Sequence, residues 1–458
     1  MNLVNQADNI HIFSYRELNI LLDVNSGAVH LLTDTAAAIV AAAIKGASAD
    51  LLQDKFGNDA VSQVMTELRG LQQQGVLASP VEDNRLPQEE VSYIKSLCLH
   101  VSHDCNLRCR YCFAGTGRFG GDRELMTADT AKQAVDFLLA ASGPRQFCEI
   151  DFFGGEPLMN FSVVMETVKY AQKAAAIKGK KINLTLTTNG MLLDEDVRRF
   201  LVKNEIKLVL SLDGRPEIND YIRPGAGGKG SYREIVPKFK AMVNELGGKN
   251  YYIRGTYTKH NRDFAADIAH MLTCGFRELS IEPVVASSEA GYALTEEDYP
   301  FIASEYDRLV DLYLEYWDNG DPFNFFHFNV NLEQGPCLAK RLRGCGAGFE
   351  YLAVTPGGEL YPCHQFVGDE KFRIGTVTEG IINTSVGETF KQTHVYNKEE
   401  CRRCWARFYC GGGCNANAYQ QSGDLFEPYK VGCLVQRKRL ECAIYLETKK
   451  LIDTGGGE

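Results

Sequence analysis

Three thiols within eight residues constrain this chain more than any other feature. In Cys105-Asn-Leu-Arg-Cys109-Arg-Tyr-Cys112 they are separated by three and then two residues. They follow the apolar run Ser96-Leu97-Cys98-Leu99-His100-Val101, which reads as a buried strand. A loop leaving a strand wraps such thiols around one metal centre. A cubane iron-sulfur cluster takes four cysteine ligands, so three in one loop leave one iron free to bind something else. Structural zinc is the rival, but it wants four closed ligands and no second cysteine pair lies near in sequence. The bland alternative is three unrelated buried cysteines.

At 458 residues the chain exceeds a single typical core, which predicts two or three domains. A net charge of −10 and a pI near 5.5 argue against an electrostatic nucleic-acid or anionic-membrane partner. No apolar run reaches a spanning length and the first residues lack the order of a signal peptide, so the expected location is the cytoplasm. Fifteen cysteines are there kept reduced rather than paired, and metal accounts for them better. An oxygen-poor cell is the implied setting.

Residues 1–82 read as a small domain. An apolar segment, His11 through Asp23, leads into the turn formers Asn25-Ser26-Gly27-Ala28 and then Val29-His30-Leu31-Leu32, a hairpin. Helices are predicted over Thr35–Ile44, Ala49–Phe56 and Ala60–Gln74, with Gly75 as C-cap and Val76-Leu77-Ala78 as a returning strand. Residues 79–92, rich in proline and acid, read as a linker. From 93 to 315 strand and helix patterns alternate, which predicts parallel strands with crossover helices. The further strands are Phe147–Phe153, Ile182–Thr187, Lys207–Ser211, Tyr251–Tyr257 and Leu279–Val284; Ala128–Ala141 and Asp194–Val202 are among the helices. Six such units predict a partial (β/α)6 barrel with its chemistry at the C-terminal ends of the strands.

The cysteine loop resembles the signature of the radical S-adenosylmethionine (SAM) enzymes, with Tyr111 at the aromatic position before Cys112. The resemblance implies that the free iron chelates the amino and carboxylate groups of SAM, whose cleavage yields a 5′-deoxyadenosyl radical. One strand later, Gly154-Gly155-Glu156-Pro157 matches the family's GGEP motif, so Gly154, Gly155 and Glu156 are implied to hold the SAM ammonium. Asn189, in the polar cluster Thr187-Thr188-Asn189-Gly190, is a further SAM contact on this reading. By the same resemblance Ser211 contacts SAM and Arg223, twelve residues on, pairs with its carboxylate. Read alone, that stretch is a turn capped by Asp213 and a solvated arginine. Ile281-Glu282-Pro283-Val284 is placed where the adenine lies.

Beyond residue 330 the pattern changes to cysteine-rich loops: Cys345, Cys363, then Cys401-x2-Cys404-x5-Cys410-x3-Cys414, and Cys433. These intervals resemble the SPASM domain, expected over 330–450, which implies two auxiliary iron-sulfur clusters and three 4Fe–4S clusters in all. The implied pairing is interleaved. Cys401, Cys404, Cys410 and Cys433 would hold the outer cluster, and Cys345, Cys363 and Cys414 the inner one. Either Cys337 or a substrate thiolate completes the inner site; zinc ribbons are the structural alternative for these thiols. Cys98, Cys148, Cys274 and Cys442 read as buried small hydrophobes.

Residues 1–82 look like the winged-helix-like leader-binding domains of peptide-modifying enzymes, in which a strand edge pairs with the substrate. The wording of residues 22–30 is similar to maturases of six-cysteine (SCIFF) precursor peptides. The resemblance therefore implies a cysteine-rich precursor peptide as substrate, an intramolecular cysteine-to-threonine thioether as product, and a flavodoxin or ferredoxin as reductant. An anaerobic sulfatase-maturing type enzyme, making formylglycine, is the alternative. A non-catalytic peptide-binding or electron-transfer protein is a third reading.

Overall fold

The structure is a computed structural model that describes residues 3–80, 92–332 and 342–455. Cys337 and most of the expected linker lie outside the described residues. Near the N-terminus, β1 (Ile10–Tyr15), β2 (Leu18–Asp23) and β3 (Val29–Leu32) form an antiparallel sheet in that order. The apolar segment expected to enter a single hairpin is thus folded in two. Its reversal falls at the polar pair Arg16 and Glu17, where Arg16 takes a left-handed backbone with φ 52°.

Helices Asp34–Ile44 and Asn58–Gln73 cover this sheet around a small core that includes Leu3, Leu21, Val40, Val61, Leu68 and Leu77. The helix expected over Ala49–Phe56 is divided into a 3-10 turn, Ala49–Leu52, and a short helix, Gln53–Phe56. Val76-Leu77-Ala78 is not a strand. Leu77 plugs the small core, and the Val76 carbonyl is taken by the His30 ring at 2.8 Å instead of by a neighbouring strand.

The second unit is built on β4 (Ser96–Ser102), β5 (Phe147–Gly154), β6 (Lys181–Thr188), β7 (Lys207–Ser211), β8 (Tyr251–Tyr257) and β9 (Glu278–Pro283). They neighbour one another in sequence order, each parallel to the next. Crossover helices impose that direction. One is Ala128–Ala141, whose first turn is closed by Thr127 accepting from the Thr130 amide at 3.1 Å. Along β6, Ile182, Leu184 and Leu186 are buried, while Asn183, Thr185 and Thr187 occupy the other face. The polar face of the sheet is therefore written by the period-2 pattern.

From 324 onward, on both sides of residue 330, the chain is not loops alone. β10 (Asn324–Phe325) extends one end of the sheet beside β9, and β11 (Tyr351–Val354) lies parallel to β4, with Tyr351 opposite Ser96. β12 (Glu359–Tyr361) and two two-residue strands, Gly375–Thr376 and Gly380–Ile381, continue outward from β11, giving an 11-stranded sheet among the described residues. The cause lies in β4, which is buried along its whole length and would otherwise present an unpaired apolar edge.

The C-terminal helix Lys430–Asp453 packs on helix Tyr299–Asp318 and reaches β1, tying the two ends of the chain together. His11 bonds Glu441 at 2.9 Å and stacks on Trp405 with ring centroids 3.6 Å apart. Buried Arg407 donates to the Asp8 carbonyl at 3.1 Å, to Asn9 Oδ1 at 2.6 Å and to Asn25 Oδ1 at 2.9 Å. Among the described residues no helix is long and apolar enough to cross a membrane.

Removing one acceptor from a buried guanidinium costs about 1–3 kcal/mol. Asn25→Ala is therefore expected to lower the melting temperature and to accelerate amide exchange across β1 to β3. Wild-type melting and exchange in this variant would show that Arg407 does not clamp the N-terminal sheet.

Candidate active site and cluster-binding cysteines

The thiol loop leaves β4 and is held from two sides. Leu107 is buried, and the amides of Arg108 and Arg110 donate to the carbonyls of Pro224 and Ile222 at 2.8 and 2.9 Å. On the other side the amides of Gly155 and Glu156 donate to the carbonyls of Ser102 and Asp104 at 2.7 and 2.9 Å. A side chain on either glycine has no room. A Cβ on Gly154 would stand 2.2 Å from the Ser102 carbonyl oxygen, and one on Gly155 2.2 Å from that of Asp104. Gly154 also has φ 128°, a region that side chains rarely adopt. The glycines of the GGEP segment therefore set how closely it approaches the thiols.

Cys105, Cys109 and Cys112 are near enough that their charges couple. Burial pushes the Cys105 thiol up to about 12 and the Cys109 thiol up to about 11, with Arg223 opposing the latter. The Leu107 amide lies 3.4 Å from Cys105 Sγ and Asn189 Nδ2 lies 3.7 Å from it. Buried Glu156 accepts from Thr188 Oγ1 at 2.7 Å, the Asn189 amide at 2.8 Å and the Leu158 amide at 3.1 Å. A carboxylate offers about four acceptor positions, so one is left for an incoming cation. Burial raises this carboxyl, and the three donors act against it.

Asp213 is wholly buried rather than a surface turn cap. Tyr111 donates to it at 2.9 Å, the Thr256 amide donates at 2.8 Å, and Arg223 Nη1 donates to the Tyr111 hydroxyl at 2.7 Å. Arg223 is only 7% exposed, and its buried Nε has no hydrogen-bond partner. Such an arginine fits an acceptor delivered by a ligand. Tyr111, Ser211 and Arg223 line a cavity of about 160 Å³ together with Thr187, Arg254 and Glu282. Burial opposes ionisation of Glu282, but His327 at 3.1 Å and Arg439 at 3.5 Å outweigh it and hold the carboxyl well below the usual range.

The structure brings the C-terminal thiols together in two sets. Cys401, Cys404, Cys410 and Cys433 line one cavity of about 320 Å³. Cys363 couples electrostatically to Cys414 and Cys345. Among the described residues no three His, Cys, Asp or Glu side chains close on a point as one metal ion requires. Four thiols around a cavity of this volume fit a multi-iron group. Sequence reasoning missed Lys398, a buried lysine that donates to the Gly412 carbonyl at 3.0 Å and couples to thiols of both sets, Cys401, Cys410, Cys414 and Cys433. It sits three residues before the Cys401 pair with no local signal that marks it. A smaller cavity of about 170 Å³ lies between Cys410, Cys414 and Cys433 on one side and Glu282 on the other. Glu282 therefore borders both the thiol region and the cavity above Arg223.

Residues 99–283 match the radical SAM superfamily, and residues 345–405 match SPASM, an iron-sulfur cluster-binding domain. The chain thus carries a radical SAM domain followed by a SPASM domain, and these domains imply SAM and 4Fe–4S clusters. The cysteine-type anaerobic sulfatase-maturating enzyme of Clostridium perfringens is 26% identical over 340 residues, covering 69% of this chain and 86% of that protein. The radical SAM cyclopropyl synthase TigE of Paramaledivibacter caminithermalis is 20% identical over 366 residues, 74% of this chain and 72% of its own.

Among solved structures, anSMEcpe with bound AdoMet aligns with a TM-score of 0.64 at 22% identity, covering 79% of this chain and all of that one. Streptococcus suis SuiB bound to S-adenosylmethionine aligns with a TM-score of 0.52 at 15% identity, over 93% of this chain and 98% of its own. Both are likenesses of fold.

Gly155→Ala forces the thiol loop away from the GGEP segment. The reconstituted variant is expected to lose SAM binding and part of its iron while keeping its circular dichroism; full SAM binding would refute the close-approach argument. Tyr111→Phe removes the hydroxyl between Arg223 and Asp213, a loss of about 1–3 kcal/mol, or roughly 5- to 150-fold in SAM affinity. Equilibrium titration with SAM checks it.

Proposed function

We propose that this enzyme installs a cysteine-to-threonine thioether in a ribosomally made, cysteine-rich precursor peptide of the SCIFF type. The observation that carries this reading is the N-terminal sheet. The SuiB fold accounts for 93% of the chain, against 79% for anSMEcpe, and SuiB is also known bound to its precursor peptide SuiA. Among the described residues β3 has β2 as its one strand neighbour, so its outer edge offers backbone groups to an extended leader. On this reading residues 1–82 form the winged-helix-like leader domain, 93–315 the partial barrel and 330–450 the SPASM domain.

Three 4Fe–4S clusters are proposed: one on Cys105, Cys109 and Cys112, an outer one on Cys401, Cys404, Cys410 and Cys433, and an inner one on Cys345, Cys363 and Cys414. When bound, the first cluster and SAM supply the adenosyl radical, and an auxiliary cluster supplies an acceptor for the one electron left over. The chain's own residues do the rest. Glu156, Asn189, Ser211 and Arg223 hold SAM, with Tyr111 and Asp213 keeping the Arg223 guanidinium in place. Phe113 and Phe153 narrow the cavity where carbon and sulfur meet. The reductant is a flavodoxin or ferredoxin, and the setting is the cytoplasm.

A second reading, oxidation of a serine or cysteine to formylglycine, is favoured by the similarity to anaerobic sulfatase-maturating enzymes. Incubation with a cysteine- and threonine-containing precursor, SAM and reductant under anaerobic conditions separates the two. The thioether reading requires the peptide to lose two hydrogens while keeping its sulfur and to lose one free thiol. Loss of sulfur, or an aldehyde captured by a hydrazide, would favour formylglycine. Deleting residues 1–82 is expected to abolish turnover of the full precursor, and unaltered turnover would remove the leader role.

A further inference from the structure

Thioether formation leaves a proton to be placed, and this inference rests on the thioether reading. The carbon gives up its hydrogen as an atom to the adenosyl radical. The S–H bond breaks, the C–S bond forms, one electron passes to an oxidised auxiliary iron-sulfur cluster, and one proton remains. A group of the protein beside the cavity can take it.

The sheet face beneath the cavity holds one candidate. Asp151 lies on β5 two residues before Phe153, on the same face, and Phe153 lines the cavity. Its Oδ1 is buried without a hydrogen-bond partner. Thr187, on the neighbouring strand β6 and itself in the cavity wall, lies diagonally across from Asp151 on the same sheet face, near enough for its hydroxyl to act on that carboxyl. Arg254 of β8, also in the wall, is the cation facing it, and Cys98 of β4 and Tyr351 of β11 complete its charged or titratable surroundings. The carboxylate in the cavity wall itself, Glu282, is tied to His327 and Arg439.

We propose that Asp151 is the terminal acceptor of the substrate thiol proton and that the Thr187 hydroxyl delivers it. The thiol donates to Thr187 Oγ1 as the hydroxyl hydrogen passes to Asp151, so one S–H bond is exchanged for one carboxyl O–H bond. Burial, opposed by Arg254 and Thr187, pushes the Asp151 carboxyl up to about 7, which suits an acceptor working near neutrality. Because the working form is ionised, cross-linking should rise with pH through about 7 and fall below it.

The test compares wild type, D151N, T187V and T187S in the reconstituted holoenzyme, reading cross-linked peptide formed per 5′-deoxyadenosine as a function of pH. D151N and T187V are expected to lower that ratio at least tenfold and to flatten its rise near pH 7. T187S, which keeps the hydroxyl, is expected to restore much of what T187V loses. Infrared difference titration of the full chain before reconstitution gives a readout apart from turnover: a carboxylic-acid band titrating near pH 7 that D151N abolishes.

Wild-type ratios and pH profiles in D151N and T187V, or absence of that band from the wild type, would overturn the assignment alone. No cross-link from the wild type would overturn the thioether reading and this inference with it. Should D151N fail to fold, T187V against T187S decides between the outcomes.

Discussion

Two backbone hydrogen bonds, from the amides of Gly155 and Glu156 to the carbonyls of Ser102 and Asp104, hold the chemistry of this protein together. They require neighbouring parallel strands β4 and β5 to release their loops at the same height, and they require glycine, since a Cβ would meet those carbonyls at 2.2 Å. Once they form, the thiol loop cannot wander. Glu156 is delivered to Thr188 and Asn189 on the next strand, and Asn189 reaches back to Cys105 and Asn106. Three consecutive strand ends become one rigid wall around the thiols. That suits radical chemistry, in which the protein's part is to hold, aim and exclude water.

The opposite wall depends on a buried charge. Asp213 and Arg223 are 3.9 Å apart and are bridged by the Tyr111 hydroxyl. Such groups are costly to bury and are tolerated where each donor and acceptor has a partner. Arg223 leaves its Nε unused, so the wall is complete only when something else arrives. The thiol loop is pinned to this wall through Arg108 and Arg110, so ligand contacts made by Arg223 are felt by the loop.

The C-terminal region is fused to the catalytic unit rather than appended. β11 continues the main sheet beside β4, and Glu282 at the end of β9 faces the cavity that Cys410, Cys414 and Cys433 line. The N-terminal sheet is attached in turn through Trp405 and Arg407, which lie between Cys404 and Cys410. The N-terminal sheet is thus anchored to the same short segment that carries Cys404 and Cys410.

Much of this was legible in local pattern. The six parallel strands, the thiol loop and the GGEP turn all have signatures a few residues long, because strand alternation, metal-ligand spacing and glycine turns are local properties. The turn at Arg16 rests on one polar pair inside an otherwise apolar run, and the irregular return at Val76 has no local mark, so local pattern reads through both. Asp213, Lys398 and Asp151 carry no such sign either. Their importance comes from partners tens to hundreds of residues away, and only burial shows that a given aspartate or lysine has lost its solvent.

By itself the order of amino acids determined which thiols and glycines are available and that strands and helices alternate. The tertiary structure decided that β11 covers β4, that seven scattered cysteines gather into two sets, and which carboxylate oxygen is left unpaired beneath the cavity. The physical reason is that register, burial and charge coupling are properties of the packed sheet, and no stretch of chain possesses them alone.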